Sequence, residues 1–385
     1  MPRALLHKGL GPVLADIALD SIQPLSSISP AKKNLANLTS YNLFPKHKRM
    51  ILVPGSPPLW TPPKTTHTVR PDKGKYILDP NGYIFRNSPL EPLFRAILAT
   101  TPDFNMDGID LVTDRKNLRS LLGFVSGSSG SNKKKPFRIN LEVINSTLLF
   151  SRYSPRTTHF VDAFNGYGHE YEKASTHRML PIRDSIVHNR VICYTLGTVK
   201  IILRFEVDAC MRVPAFLVDK SRATKTNPTL TPTPTGFTVL DRGDPAVAAS
   251  RLAEIKTRPA TKLGMNTDAL SQMWFSQTPL LCKGRYHGDG VFRPPTVANV
   301  EASGRLAAWE ERNQDLIRRL VRLLEVIKQT VGGLSQTKLA IVNEGEGVLK
   351  VYAVKDGQGH AIPGDLRKMW RGHDTGVIAS DEGEV

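Results

Sequence analysis

Two stretches decide the architecture: VKIILRFEVDA, residues 199–209, and RLAEIKT, residues 251–257. In the first, Val199, Ile201, Leu203, Phe205 and Val207 alternate with Lys200, Ile202, Arg204, Glu206 and Asp208, the period-two pattern of a strand. That alternation sends Glu206 and Asp208 to one side, where like charges repel unless solvent or a cation lies between them. In the second, Leu252, Glu254 and Lys256 share one face while Ala253 and Ile255 take the other. A carboxylate and an amine then stand side by side. Taken singly, these are a solvated strand face and an intrastrand ion pair. Taken together, they offer acidic oxygens for a hard divalent ion and a lysine that can position and help deprotonate water.

Working outward, RVICYTLG (190–197) pairs with the first strand as a hairpin across Gly197. FRINLEVINSTLLFSRY (137–153) alternates on both sides of Asn145, a second antiparallel hairpin. KYILDPNGYIFRN (75–87) predicts a hairpin turning at Asp79 to Gly82. A helix follows it, with Ser88 as cap, Pro89 at the first helical position and Glu91 completing a capping box. DLVTDRKNLRSLLGFV (110–125) reads as a strand end running into a helix whose first turn holds Arg115. Further helices are expected over Gly168 to Arg178, carrying Glu172, and around DALSQMWFSQ (268–277). LLCKGRYHGDGVF (280–292) predicts a hairpin turning at His287 to Gly290, and KLAIVNEGEGVLKVYAV (338–354) a terminal one. Between them, residues 304–331 read as one long helix with Leu316, Leu320, Leu323, Leu324 and Ile327 along a stripe. That stripe is core or partner packing. Strands and helices mix without βαβ alternation, so the expected class is α+β, with mixed central sheets flanked by helices.

Residues 1–70 are rich in Pro, Ser and Lys and end in a Pro-laden run, so they are expected as an extended, partly disordered arm. Residues 71–365 are expected as a single domain with a mobile Pro/Thr-rich insertion at 213–237, and 366–385 as a polar tail. The 385 residues are 40% hydrophobic and 23% charged, a globular composition. A net charge of +17, from 52 Lys and Arg against 35 Asp and Glu, favours polyanionic partners, most commonly nucleic acid. The three cysteines form no CxxC pair, which argues against a disulfide framework or a thiolate zinc site. Lys8, Asp16 and Asp20 interrupt the apolar start, and no apolar run reaches the roughly 20 residues of a membrane span. A nuclear or cytoplasmic location, with no membrane partner, is expected.

The acidic pair followed by Glu-x-Lys resembles a PD-(D/E)XK nuclease centre. With other motifs it resembles a narrower group, the DXO-type decapping and exoribonuclease family, which includes fungal proteins that accompany a nuclear 5′→3′ exonuclease. The matching residues, in family order, are Arg115 in TDRKNLRSLL, Gly168 to Glu172 in GHEYE, Glu206 to Asp208 in EVD, Glu254 to Lys256 in EIK, and Gln277 in MWFSQT. The matches span roughly residues 75 to 295. Three residues depart from the pattern: His169 fills an aromatic slot, Glu170 adds an acid, and Asp114 precedes the arginine where an aromatic residue is usual.

The resemblance implies metal-dependent hydrolysis at RNA 5′ ends: incomplete or non-canonical caps, 5′-triphosphate or NAD-type ends, with 5′→3′ digestion as an extension. It implies that Glu172, Asp208, Glu254 and the Ile255 carbonyl hold Mg²⁺ or Mn²⁺, with Glu206 acting through water. Lys256 would orient the nucleophile, Arg115 clamp a phosphate and Gln277 contact the RNA backbone. Two alternatives stand: a catalytically weak RNA-binding partner of a 5′→3′ exonuclease, and a PD-(D/E)XK DNA nuclease. HEYEK (169–173) falls short of a zincin motif because Lys173 replaces the second histidine, and no GxxxxGK[ST] phosphate loop is present. Lys133 to Lys135 read as a solvated loop tip.

Overall fold

The structure is a computed structural model describing residues 3–127, 136–164, 166–212, 228–243, 246–262, 267–355, 357 and 359–370. Its frame is a mixed twelve-stranded sheet in the order Leu10–Ala18, Val348–Val354, Lys338–Asn343, Phe137–Ile144, Thr147–Arg152, Leu111–Asp114, Val199–Glu206, Val187–Leu196, Lys32–Leu43, Met50–Val53, Thr238–Asp241 and Thr229–Pro232. Leu111–Asp114 runs parallel to both its neighbours, while the hairpins on either side pair antiparallel. The turns predicted at Asn145 and Gly197 hold. Asn145 and Gly197 both adopt positive φ, at 51° and 59°. At Gly197 a Cβ would also lie 2.7 Å from the Val321 Cγ1, so conformation and packing both require glycine there.

Both faces of the large sheet are covered. On one, helices Arg115–Val125, Thr267–Ser276, Arg305–Arg312 and Gln314–Gly332 enclose the main core, with Leu118, Leu203, Leu320, Leu324 and Ile327 within it. On the other, helix Glu91–Thr100 and residues 364–370 close a second core around Phe94, Ile97, Ile202 and Trp370. A second sheet pairs Thr176–His177, Leu59–Trp60, Ala209–Cys210, Leu252–Pro259, Leu280–His287, Val291–Phe292 and His67–Thr68 in that order, with Thr296–Asn299 beside Leu280–His287. The architecture is the expected α+β class with mixed sheets flanked by helices.

Several boundaries differ from expectation. Within the span expected as an arm, Leu10–Ala18 and Lys32–Leu43 are instead strands of the large sheet, the second pairing along Val187–Leu196 in its interior. The hairpin expected over 75–87 is instead a strand, Gly74–Ile77, and a short helix, Pro80–Ile84. Asp79 Oδ1 accepts from the Gly82 amide at 3.0 Å and Pro80 has its φ preset, so a capped helix wins over a turn. The helix expected to reach Arg178 stops at Ser175, and the long late helix is broken at Asn313 (φ −116°, ψ 17°). Of the insertion placed at 213–237, residues 229–232 are an edge strand of the large sheet, while 213–227, Lys133 to Lys135 and 371–385 lie outside the described residues.

The face of Val199–Glu206 bearing Ile202 and Arg204 is buried rather than solvated, because helix Glu91–Thr100 packs over that side. Arg204, 2% exposed, is accommodated by a two-pronged pair with Asp114, Nε to Oδ1 at 2.6 Å and Nη2 to Oδ2 at 2.9 Å. Its Nη1 donates to the Pro89 carbonyl at 2.8 Å. Removing the carboxylate would strand a buried cation, so Asp114→Ala is predicted to cost about 3–5 kcal/mol. Urea unfolding of wild type and variant measures it; a loss below about 1 kcal/mol would contradict the argument.

Candidate active site

The expected site residues lie where one sheet hands the chain to the other. Val199–Glu206 leaves the large sheet at Glu206, and after Val207 and Asp208 the chain enters the second sheet at Ala209–Cys210. Ala209 and Cys210 pair antiparallel with Ala253 and Leu252, which sets Leu252–Pro259 beside Asp208. The Ile255 amide donates to Asp208 Oδ2 at 2.8 Å. On the large-sheet side, Asp114 is the register partner of Arg204, so Arg115 emerges just past the end of the parallel pair. Its Nη2 donates to the Glu206 carbonyl at 3.3 Å. Glu172 arrives on the Gly168–Ser175 helix, whose amides at His169 and Glu170 donate to the Asp72 carboxylate at 3.2 and 3.0 Å. That carboxylate satisfies two otherwise orphaned helix-start donors and fixes the helix over the second sheet.

Arg115, Glu172, Glu206, Asp208, Glu254, Ile255 and Lys256 thereby line one solvent-open cleft of about 450 Å³. Glu254, 1% exposed, forms its floor. Its carboxylate accepts from Lys256 Nζ, from Gln272 Nε2 at 2.5 Å and from Arg115 Nη1 at 3.4 Å. Arg115 also donates to Ser276 Oγ at 3.1 Å.

The electrostatics divide the carboxylates in two. Burial alone would raise Glu254, but the ammonium of Lys256 and the guanidinium of Arg115 outweigh it and hold the group below the ordinary carboxylate range. Lys256 is raised in return, since Glu254 and Asp208 outweigh its own burial. Glu172 and Asp208 are left with mutual repulsion. Burial lifts Glu172 to about 7, with Arg178 opposing and Glu206 and Glu254 adding to the rise. Burial likewise pushes Asp208 well up, reinforced by the charges of Glu254 and Glu172. Among the described residues no three His, Cys, Asp or Glu side chains are gathered as a ready-made metal cluster. The cleft offers an oxygen-only donor set whose members disfavour one another's charge, and such a set suits a hard divalent cation.

Gln277 stands apart from these residues. It follows helix Thr267–Ser276 with φ 51°, and its Nε2 folds back to the Trp274 carbonyl at 3.0 Å. The glutamine that lines the cleft is Gln272. Its position was readable in the sequence, because Asp268, Gln272 and Ser276 recur every four residues and so form one polar stripe on an otherwise apolar helix. Asp72 carried no comparable signal, since it lies in a Pro-rich run far from every motif.

The family model described as Domain of unknown function (DUF8563) matches residues 13–371. No curated protein sequence matches the chain. Among solved structures, that of Schizosaccharomyces pombe Rai1 in complex with 3′-FADP is similar with a TM-score of 0.56 at 14% identity, covering 88% of this chain and 99% of that one. Scheffersomyces stipitis Rai1, in complex with (3′-NADP)⁺ and calcium ion, gives 0.52 at 12% identity over 90% and 99%. Candida albicans Rai1, in complex with pU5 and Mn²⁺, gives 0.51 at 11% over 90% and 98%. The resemblance drawn from the motifs is thus met by a fold shared over 88–90% of the chain. The chain belongs to the family described as a domain of unknown function (DUF8563), and it has the Rai1-type α+β fold.

Proposed function

We propose that this protein hydrolyses phosphate linkages at RNA 5′ ends with a divalent cation, Mg²⁺ or Mn²⁺, held in the cleft. The observation that carries the reading is the meeting of Glu172, Asp208 and Glu254, far apart in sequence, along one cleft with Lys256 and Arg115. Glu172, Asp208, Glu254 and the Ile255 carbonyl are the candidate ligands, with Glu206 reaching through water. When bound, the ion supplies Lewis acidity and an activated water. Lys256, raised and hydrogen-bonded to Glu254, stays charged and orients the nucleophile. Arg115, anchored by Ser276 and the Glu206 carbonyl, presents a fixed guanidinium to a phosphate oxygen. Gln272 takes over the cleft contact assigned by motif to Gln277. Rai1 structures of the same fold carry 3′-FADP or pU5, which supports an RNA-end substrate.

The +17 charge agrees with an RNA partner, and no helix among the described residues is long and apolar enough to cross a membrane. A nuclear or cytoplasmic site of action and a 5′→3′ exonuclease subunit as partner belong to the same proposal. A second reading, an RNA-binding partner with feeble catalysis, draws on one observation: Glu254 is already engaged by Lys256, Gln272 and Arg115.

Incubation of 5′-labelled capped, triphosphate and NAD-ended RNAs with Mn²⁺ separates the two. Wild type is expected to release labelled product, and Glu254→Ala to lower the rate about a hundredfold or more. Equal rates for both, or no product from wild type, would sink the nuclease reading. Replacing RNA by single-stranded DNA of the same sequence is expected to lower turnover; equal turnover favours a DNA nuclease.

The raised Glu172 gives a pH prediction for the metal-free protein. A carboxyl whose folded pKa exceeds its unfolded value binds more protons when folded, so its contribution to stability is full at low pH and fades as pH rises toward about 7. Glu172→Gln is therefore expected to be more stable than wild type at pH 8, with the gap closing below pH 5. Thermal melts of both proteins across that range, in chelator, read the difference; a gap that widens toward acid contradicts the assignment.

A further inference from the structure

A second chamber, of about 160 Å³, adjoins the cleft and shares Arg115, Glu206 and Gln272 with it. Its wall beyond Arg115 is basic. Arg119 lies one helical turn further along Arg115–Val125, and Arg152 ends the strand Thr147–Arg152 on the facing side. Arg204 also borders the chamber but is neutralised by Asp114. Arg115 and Arg119 stand at i and i+4, so two like charges share one face, an arrangement that costs stability unless an anion lies between them. The partners of Arg119 and Arg152 do not remove the surplus. Arg119 Nη2 donates to the Asp268 carbonyl at 3.4 Å, and Arg152 Nη1 to the Leu78 carbonyl at 2.8 Å, both neutral acceptors. Asp79 Oδ2 stands 4.0 Å from Arg152 Nε, at the outer limit of an ion pair, while its Oδ1 caps helix Pro80–Ile84. Burial, and after it the charge of Arg115, depress Arg119, with the carboxylates of Asp268 and Glu254 opposing.

The geometry points to a second phosphate subsite in this chamber, in which Arg119 and Arg152 bind the phosphate group next to the one held at Arg115. It rests on the nuclease reading for its substrate but not for its test. The shared ligand chemistry is a pair of linked phosphates, arising either from a 5′ polyphosphate or from the first phosphodiester of the strand. Four residues, about 6 Å of rise, separate the two arginines along their helix, and Arg152 faces them from another element, a span that suits a ligand with two linked phosphates. A chain recognised in this way is selected by its phosphates rather than its bases.

Titration calorimetry of the full chain, without divalent ions, tests the subsite with orthophosphate, inorganic pyrophosphate and the dinucleotide pUpU as probes. Wild type is expected to bind pyrophosphate or pUpU about tenfold or more tightly than orthophosphate. Arg119→Gln and Arg152→Gln should each remove that gain while leaving orthophosphate binding within about twofold, since Arg115 is untouched. A gain confined to pyrophosphate assigns the subsite to a polyphosphate end, and a gain confined to pUpU assigns it to the next phosphodiester. No preference for either two-phosphate probe, or a preference unchanged in both variants, overturns the proposal. The substitutions sit on different elements, so a folding defect in one leaves the other to decide. RNA-end hydrolysis without the preference removes the subsite alone, whereas the preference without hydrolysis removes the nuclease reading alone.

Discussion

The ion pair between Arg204 and Asp114 is the constraint on which the site depends. The two residues are register partners in the parallel ladder between Val199–Glu206 and Leu111–Asp114. A buried guanidinium tolerates only one such placement, because slipping the ladder would leave it without its carboxylate. With the register locked, the residues just beyond it on each strand are fixed as well: Arg115 on one, Glu206 and Asp208 on the other. These are side chains at the carboxyl ends of parallel neighbours, where open α/β sheets place their ligands. Asp114, which stands where the motif resemblance would place an aromatic residue, therefore has a structural purpose. It neutralises Arg204, and in doing so aligns the strand that delivers Arg115.

The second sheet completes the arrangement by a different route. Its strand Leu252–Pro259 pairs with no strand of the large sheet among the described residues and reaches the site through Ala209–Cys210, the short continuation of the same chain that carries Asp208. Asp208 thus belongs to both sheets: the backbone leads it out of one, and the Ile255 amide ties its carboxylate to the other. Glu172 is carried by a helix whose start is held through Asp72 and whose Tyr171 is fully buried. The three carboxylates stand on three separate supports.

Much of this was legible in the residues, for identifiable reasons. Strands with clear alternation, such as Val199–Glu206 and the hairpin across Asn145, were readable because one apolar face suffices to define them. Glu254 and Lys256 followed from the same period. The strands in residues 10–43 were not readable, since most of their pairing is with segments more than 140 residues away and their local composition resembles a loop. Tertiary pairing overrode propensity there. At Asp79 the same four residues, Asp-Pro-Asn-Gly, serve equally as a turn or a capped helix start, and only the packing around Asn81, hydrogen-bonded to Tyr41 and Asn189, chose the helix. Gln277, named by its place in a motif, lies outside the lining of the cleft: its backbone is left-handed and its amide returns to the Trp274 carbonyl.

The pairing of Leu10–Ala18 with Val348–Val354 has a consequence for biosynthesis. Leu10–Ala18 cannot find its neighbour until about 330 further residues have been polymerised. Lys32–Leu43 meets Met50–Val53 early but waits for Val187–Leu196 along most of its length. Over that interval the nascent chain carries segments short of their native hydrogen-bond partners, the circumstance in which chaperone engagement matters most. Closure of the large sheet thus awaits synthesis of the strand Val348–Val354.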